Sequence, residues 1–420
     1  MNGVIAALRE HRGAAMLAAS VPLTMPWEAL NALTILIGAI VGGVLLWRRR
    51  AQLPESDLRA LAGIALCLLL PCLISAVDAH RAGTSWLWVA TSIRYPLFAA
   101  ALIMLGQRPG AVPVMLTAVA IPISLWLCDG LIQAVTGVSL AGAADADRLS
   151  GIFGSDDLKL GPAMAIFTPL LLVPLLHRRG TLMAAFVGLL VVVLLAGARA
   201  GWIGMMVGIG ALICFRWGND RRRLLLILTS SAALVLALSV LGYYASERFA
   251  ERVDRTAQAF QGDSSGLDHA LAGRLPIFAT AWHASLAHPF NGVGVRGFRY
   301  AYPDYASAED PWINPNTQTG AAHPHYLWLE VSAEQGLVGV LGLLIAHWLL
   351  LKRWRHCPPA SRRYALAPAV ALLVLMFPIN THPALYSSFW SAVWWWLIGL
   401  MLACSGTQQA SARTQLEADL

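Results

Sequence analysis

The long apolar runs of this chain decide what it can fold into. Stretches of about 20 mostly apolar residues recur along the sequence, and 57% of its 420 residues are hydrophobic against 13% charged. A soluble domain carries about 25% charged residues, so this chain cannot cover a water-facing surface of its own size. Because only helices and closed barrels satisfy their backbone in lipid, these runs predict an all-α integral membrane protein.

We predict about 12 transmembrane helices from these runs. They lie near residues 5–23, 29–47, 59–77, 86–106, 111–134, 161–177, 181–197, 200–217, 223–244, 328–351, 363–379 and 385–404. The chain then has four parts: helices 1–9 in residues 1–244, a loop domain at 245–327, helices 10–12 in residues 328–404, and a polar tail at 405–420. The loop is far too long for a simple connection, so we expect it to carry most of the polar chemistry.

The basic residues predict the orientation of the chain in the membrane. With the N-terminus in the cytoplasm, every strongly basic short connection falls on the cytoplasmic side, as membrane insertion favours. These connections contain Arg48 to Arg50, Arg108, Arg178 and Arg179, Arg221 to Arg223, and Arg353 with Arg362 and Arg363. Both termini are then cytoplasmic and the loop domain lies opposite. The net charge of +7 reflects this bias and does not indicate binding to nucleic acid.

Two arginines on the non-cytoplasmic side are candidates for binding an anion. Arg199 separates two apolar runs in LLAGARAGWIG, and Arg274 heads the loop segment LAGRLPIFATAW. A guanidinium group can hold a phosphate through two parallel hydrogen bonds. The structural alternatives are a lipid-headgroup anchor for Arg199 and an ion-paired or solvated side chain for Arg274.

A second group of polar residues lies where the loop enters the tenth predicted helix, in HPHYLWLEVSAEQG. We expect His325 at or near the first turn of that helix, where a neutral imidazole can accept a proton. Tyr326, Glu330 and Glu334 follow at intervals of four and therefore share one helix face. The alternatives are an interfacial histidine and a structural pairing of Glu334 with an arginine such as Arg94.

Metal and nucleotide cofactors are not expected. His323 and His325 form an H-x-H pair without an obvious third ligand, and the sequence contains no C-x-x-C pair and no G-x-x-x-x-G-K-[ST] loop. The 16 tryptophans, which include Trp394 to Trp396, are expected at the membrane interface and against lipid.

Three motifs, in their order along the chain, resemble the O-antigen ligase / O-antigen polymerase superfamily. The first is a small-Arg-small turn that opens a span. The second is an arginine heading a loop segment that ends in proline and G-x-G-x-x-x-F, and the third is a histidine ahead of an acidic-x-Gly element. In this chain the first motif is Ala198-Arg199-Ala200-Gly201. The second begins at Arg274 and ends with Pro289, Gly292, Gly294 and Phe298. The third is His325 with Glu334-Gln335-Gly336. Members often have Ser where this chain has Ala198, and Asn where it has Tyr326.

The resemblance implies a C-type glycosyltransferase of the bacterial inner membrane that works at the periplasmic face. Such an enzyme moves a glycan from undecaprenyl pyrophosphate to an acceptor hydroxyl without metal or ATP. It implies that Arg199 and Arg274 bind the pyrophosphate and that His325 is the general base. His323, Tyr326 and Glu330 are then expected to contact substrate, and His323 remains the alternative base.

The resemblance leaves several acceptors open. An O-antigen ligase transfers to lipid A–core, whereas an O-antigen polymerase or a protein O-oligosaccharyltransferase uses the same chemistry on another acceptor. One dominant loop favours the ligase, because polymerases often have two loops of comparable size. A lipid or glycan transporter is a more distant alternative, which would require mid-membrane charges and repeated broken helices.

Overall fold

Helices make up nearly all the described secondary structure. The computed structural model describes residues 2–50, 54–143, 148–155, 158–245, 247–257, 266, 268, 271–378 and 384–406. The predicted polar tail lies outside the described residues from position 407 onward. The all-α class predicted from the sequence is confirmed.

The helices begin and end at defined residues. They are α1 (Asn2–Glu10), α2 (Arg12–Thr24), α3 (Glu28–Arg48), α4 (Glu55–Ser75), α5 (Ala82–Ser92), α6 (Arg94–Gly106), α7 (Ala111–Thr136), α8 (Leu160–Leu172), α9 (Arg179–Leu195), α10 (Arg199–Trp217), α11 (Arg221–Ala245), α12 (Glu247–Ala257), α13 (Leu275–Ala287), α14 (Phe298–Tyr305), α15 (Leu327–Arg355), α16 (Pro359–Leu375) and α17 (Ser388–Ser405). A two-stranded antiparallel hairpin pairs β1 (Val138–Ser139) with β2 (Gly142–Ala143).

Eight of the described helices or helix pairs are long and apolar enough to cross a membrane. Two shorter apolar stretches, Leu160–Leu175 and Arg179–Leu195, add to them. The integral membrane assignment is therefore confirmed, while the number of about 12 spans stays a prediction. The predicted span at 86–106 is interrupted at Ile93, where α5 ends and α6 begins.

The chain divides into two compact units. Unit 1 contains Met1–Pro122, Pro276–Leu372 and Pro383–Leu420, and unit 2 contains Ile123–Leu275 and Leu373–His382. The predicted loop domain at 245–327 is shared between the units, because its first part up to Leu275 belongs to unit 2. The four-part division of the chain stays a prediction.

The core of unit 1 is built on close approaches between helices. Helix α6 packs against α3 and α17, and α4 packs against α15. Gly399 permits the α6–α17 contact, since a side chain there would meet the backbone of Ala99. Trp394, Trp395 and Trp396 of α17 are all buried, and the Trp396 indole donates to Ala18 O at 2.8 Å. The expectation that these three side chains face lipid was wrong, because apolarity alone does not distinguish a lipid neighbour from a protein one.

The core of unit 2 is centred on α8, of which every residue is buried. Helices α9 and α10 pack against α8, while α11 contacts α10 and α12. The apolar stretch of α11 that is long enough to span the membrane has no buried residue. Helix α11 is therefore the least enclosed of the long helices in this unit.

Candidate functional site

A tight hairpin between α9 and α10 positions Arg199. Helix α9 ends at Leu195, Gly197 takes a positive φ of 68°, and Arg199 is the first residue of α10. Gly197 N donates to Leu194 O at 3.0 Å, which closes the end of α9. Glycine adopts this left-handed conformation without the steric penalty of a side chain, so the turn is short and places Arg199 directly at the start of a helix.

The small residues around Arg199 let α8 and α10 approach through their backbones. A Cβ atom on Gly201 would lie 3.0 Å from the carbonyl carbon of Gly161 in α8. A Cβ atom on Gly161 would in turn lie 3.0 Å from Ala196 Cβ and 3.5 Å from Ala198 Cβ. The motif Ala198–Gly201 thus combines one long cationic side chain with neighbours that fit a close helix contact.

Arg274 is held by a turn at the end of unit 2. Asp268 Oδ1 accepts from Leu275 N at 2.9 Å, and Asp268 O accepts from Gly273 N at 2.9 Å. Ala272 and Gly273 both take positive φ values, 59° and 73°. Arg274 therefore lies in a fixed turn directly before α13, which begins at Leu275.

A third arginine, Arg148, belongs to the same group, and sequence reasoning did not select it. The residues that follow Arg148 are hydrogen-bonded to α9 and α7. Leu149 N donates to Leu195 O, at the end of α9, at 3.3 Å, and Gly151 N donates to Gln133 Oε1 of α7 at 2.8 Å. These bonds hold Arg148 near the hairpin that carries Arg199.

The charges of these three arginines act on one another. Burial lowers the pKa of the Arg274 guanidinium, and the nearby positive charges of Arg199 and Arg148 lower it further. Arginine remains protonated even so, because its ordinary pKa lies far above neutral pH. Like charges at this distance repel one another, and an anion bound among the three side chains would interact favourably with each of them. We call Arg148, Arg199 and Arg274 the arginine cluster.

In unit 1, His323 and His325 lie side by side ahead of α15. Their ring centroids are 3.9 Å apart, and the ring planes are inclined by 49°. His325 takes a φ of 54°, the left-handed region that residues with a Cβ rarely adopt, at a cost of about 1–2 kcal/mol. Tyr326 is the extended N-cap of α15, and its ring lies 6.1 Å from that of Phe278.

The position predicted for His325, at or near the first turn, differs slightly from the structure. Helix α15 begins at Leu327, so His325 precedes the helix and its N-cap. The direction of the His325 side chain is set by its left-handed backbone conformation and not by the geometry of α15. Strained backbone of this kind is concentrated at functional sites, where the surrounding structure maintains it.

The two carboxylates of α15 bind backbone amides. Glu330 is 1% exposed, and its Oε2 accepts from Leu385 N at 2.9 Å. Glu334 accepts from Arg296 N at 2.7 Å and from Phe298 N at 3.4 Å, in place of the arginine side chain that we expected as its partner. Both side chains therefore support neighbouring loops, and substrate contact by Glu330 stays a prediction.

Two of the three motifs form one structural element. Val293 N donates to Ala333 O at 2.8 Å and Gly294 N to Glu334 O at 3.0 Å, so the G-x-G segment lies along α15. At Gly336, α15 departs from helical geometry with φ 60° and ψ −154°. The acidic-x-Gly element thus anchors the G-x-G-x-x-x-F loop through backbone hydrogen bonds.

Gly336→Ala is expected to destabilise the protein strongly. Its Cβ would meet the backbone of Phe290 and lie 2.6 Å from Asn291 N, in a conformation that essentially only glycine adopts. We expect a loss of about 3 kcal/mol or more in the free energy of unfolding in detergent. Gly43→Ala is the matched control, because Gly43 lies in α3 with no atom within 4 Å of an added Cβ. Equal unfolding temperatures for the two variants would contradict this account of the motif.

A metal site needs several acidic, histidine or cysteine side chains in one place. Within the described ranges, no group of three or more His, Cys, Asp or Glu side chains is arranged to hold a metal ion. Asp310, in the same loop as the two histidines, accepts from the Tyr302 hydroxyl at 3.0 Å. The expectation of metal independence stays a prediction.

Comparison with known proteins finds a family that matches part of the chain. Residues 184–344 match the family described as O-Antigen ligase. This range begins in α9, ends in α15, and includes Arg199, Arg274, His323 and His325. No curated protein matches the chain significantly. The resemblance that the three motifs predicted is confirmed over this range.

Proposed function

From the premise that residues 184–344 are an O-antigen ligase domain, we propose that this protein is an inverting glycosyltransferase and, specifically, an O-antigen ligase. It moves a polysaccharide from undecaprenyl pyrophosphate to the lipid A–core acceptor. The reaction takes place at the periplasmic face of the bacterial inner membrane, with both termini of the chain in the cytoplasm. The domain match supports the superfamily chemistry, and the donor, the acceptor and the location are our proposal.

The arginine cluster is the observation that carries the proposal. Arg148, Arg199 and Arg274 concentrate positive charge within unit 2, since the bond from Leu149 N to Leu195 O keeps Arg148 near the hairpin of Arg199 and the charges of both act on Arg274. A pyrophosphate offers several oxygens to such a group, and guanidinium groups bind phosphate oxygens in pairs. As the glycosidic bond breaks, negative charge grows on the leaving pyrophosphate, and the cluster stabilises it.

His325 is proposed as the general base. The acceptor hydroxyl attacks the anomeric carbon of the donor sugar, and its proton passes to the imidazole of His325. The bond from the anomeric carbon to the pyrophosphate oxygen breaks, and undecaprenyl pyrophosphate leaves with that electron pair. A single displacement inverts the anomeric configuration. His323 and Tyr326 are proposed to contact the sugar beside the base, and Glu330, which accepts from Leu385 N, to hold the loop ahead of α17.

A reconstituted reaction with three acceptors tests this function. The purified protein in liposomes is given the lipid-linked polysaccharide together with lipid A–core, a second lipid-linked glycan, or a pilin-like protein. We expect product only with lipid A–core, at an undiminished rate in a metal chelator. Product on the second glycan or on the protein instead would identify a polymerase or a protein O-oligosaccharyltransferase. Loss of activity in chelator would contradict metal independence.

A further inference from the structure

Three large apolar side chains of unit 1 are exposed along α13 and just beyond its end. Trp282 and Leu286 are four residues apart and share one face of the helix, and Phe290 follows the helix end. They are 55%, 60% and 71% exposed. The opposite face of α13 belongs to a buried core and includes Ile277 and Ala281. We call Trp282, Leu286 and Phe290 the apolar stripe.

The apolar stripe adjoins the exposed face of a helix that can cross the membrane. Leu337 N of α15 donates to Pro289 O at 2.8 Å, so Phe290 lies beside the first turn that follows Gly336. Leu337, Leu341 and Leu344 are each about half exposed and follow one another along α15. Because α15 is long and apolar enough to span a bilayer, lipid is the natural neighbour of these leucines. The apolar stripe continues their surface.

The length of α15 sets the level of this junction in the membrane. Leu337 lies about 24 Å along the helix axis from Arg353, which belongs to the basic last turn of α15. Basic residues at the end of a span lie at the headgroup layer. The hydrocarbon core of a bilayer is about 30 Å thick. Leu337 and the neighbouring Phe290 are therefore still level with the acyl chains of the opposite leaflet.

Polar side chains border the apolar stripe on the side of α14. His283 Nδ1 lies 3.3 Å from Tyr305 O, and His288 Nε2 lies 2.7 Å from the Tyr305 hydroxyl. The polar groups beside the stripe thus contact protein, while its apolar side chains remain exposed. One exposed apolar face with a polar border and a tryptophan is typical of a helix that lies in the membrane interface.

We propose that α13 is an interfacial helix whose apolar stripe lies among the acyl chains of the leaflet opposite the basic end of α15. Lipid hydrocarbon is its occupant, and a second copy of the chain or water are the rivals. The contact holds the G-x-G-x-x-x-F loop, which begins two residues after Phe290, at the membrane surface. This proposal is independent of the proposed donor and acceptor, because it uses only the membrane assignment and the exposed side chains.

A spin label on α13 tests the proposal in the full-length protein in lipid nanodiscs. Cys67, Cys128 and Cys214 are first replaced by alanine, since the three other cysteines are buried and do not react. Leu286→Cys then carries the label. Its collision rates are measured with oxygen, which concentrates in hydrocarbon, and with a water-soluble nickel chelate. The ratio of the two rates reports the depth of the label.

Two further labelled positions calibrate this ratio. Leu341→Cys is the lipid control on α15, and Ala308→Cys is the water control, because Ala308 is exposed in the loop after α14. We expect oxygen collisions to dominate at position 286, as at 341, and the nickel chelate to dominate at 308. The depth at 286 should lie within ~15 Å of the bilayer centre, half the thickness of the hydrocarbon core.

Two results would overturn the proposal. A ratio at position 286 equal to that at 308 places the apolar stripe in water. Low collision rates with both reagents show that protein covers it, as a second copy of the chain would. Trp282→Cys, one turn earlier on the same face, is the second probe and replaces Leu286→Cys if that variant does not fold. The proposal requires a preference for oxygen there as well.

Discussion

Replacing Arg274 with alanine is expected to reduce glycan transfer about a hundredfold to a thousandfold. That is the typical effect of removing one group that stabilises charge in the transition state. The reason is the growing charge on the leaving pyrophosphate, which Arg274 shares with Arg199 and Arg148. Arg274→Lys should recover part of the rate, because it restores a positive charge but not the paired hydrogen bonds of a guanidinium.

The stability of Arg274→Ala distinguishes this role from a structural one. The positive charges of Arg199 and Arg148 act unfavourably on Arg274 in the fold, so removing Arg274 relieves repulsion. We expect the loss of activity to be far larger than any change in the unfolding temperature explains, a pattern typical of functional residues. Arg81→Ala is the control, since Arg81 is an exposed loop arginine of unit 1 that lies over the Tyr300 ring. A transfer rate lost in proportion to a lowered unfolding temperature would contradict the anion-binding role.

Replacing His325 with asparagine should reduce the transfer rate about a hundredfold to ten-thousandfold, as expected for loss of a general base. Asparagine suits this test because it tolerates the left-handed backbone that His325 adopts. The variant therefore removes the imidazole without adding strain. The measurement is the rate of a single turnover at saturating donor, with donor binding measured separately and expected to stay within about twofold.

His323→Asn is the comparison for this prediction. The two rings lie 3.9 Å apart, so both variants disturb the same region. If His325 is the base, His323→Asn should retain a much higher rate than His325→Asn. The opposite order would assign the base to His323, and equal small losses would remove general-base catalysis by either histidine from the mechanism.

The sequence predicted those features that depend on local pattern. Apolar runs predicted membrane helices, and the small-Arg-small motif at Arg199 predicted a turn that opens a span, which the structure contains between α9 and α10. The resemblance to the superfamily rested on the order of three motifs and is confirmed over residues 184–344. Local steric rules and apolar length act within a few residues, which is why a single sequence reveals them.

Features that depend on distant partners were missed. Arg148 is one of two basic residues, with Lys159, in a polar stretch that also contains four aspartates, and that was its only signal. Its position depends on two bonds of the residues that follow it, from Leu149 N to Leu195 O of α9 and from Gly151 N to the Gln133 side chain of α7, which no local pattern encodes. Trp394 to Trp396 are buried by other helices of unit 1, and Glu334 binds amides of a loop that precedes it by about 40 residues. Such contacts depend on tertiary packing, which hydrophobic periodicity does not specify.

The arginine cluster is the central claim, and equilibrium binding of lipid carriers tests it most directly. The purified protein is titrated with undecaprenyl pyrophosphate and with undecaprenyl monophosphate, and the same titrations are repeated for Arg274→Ala. We predict that the wild-type protein binds the pyrophosphate at least about tenfold more tightly, as one additional charge-assisted hydrogen bond would provide, and that Arg274→Ala loses this preference. Equal affinity of the wild-type protein for both carriers, or a preference that persists in Arg274→Ala, would contradict the account.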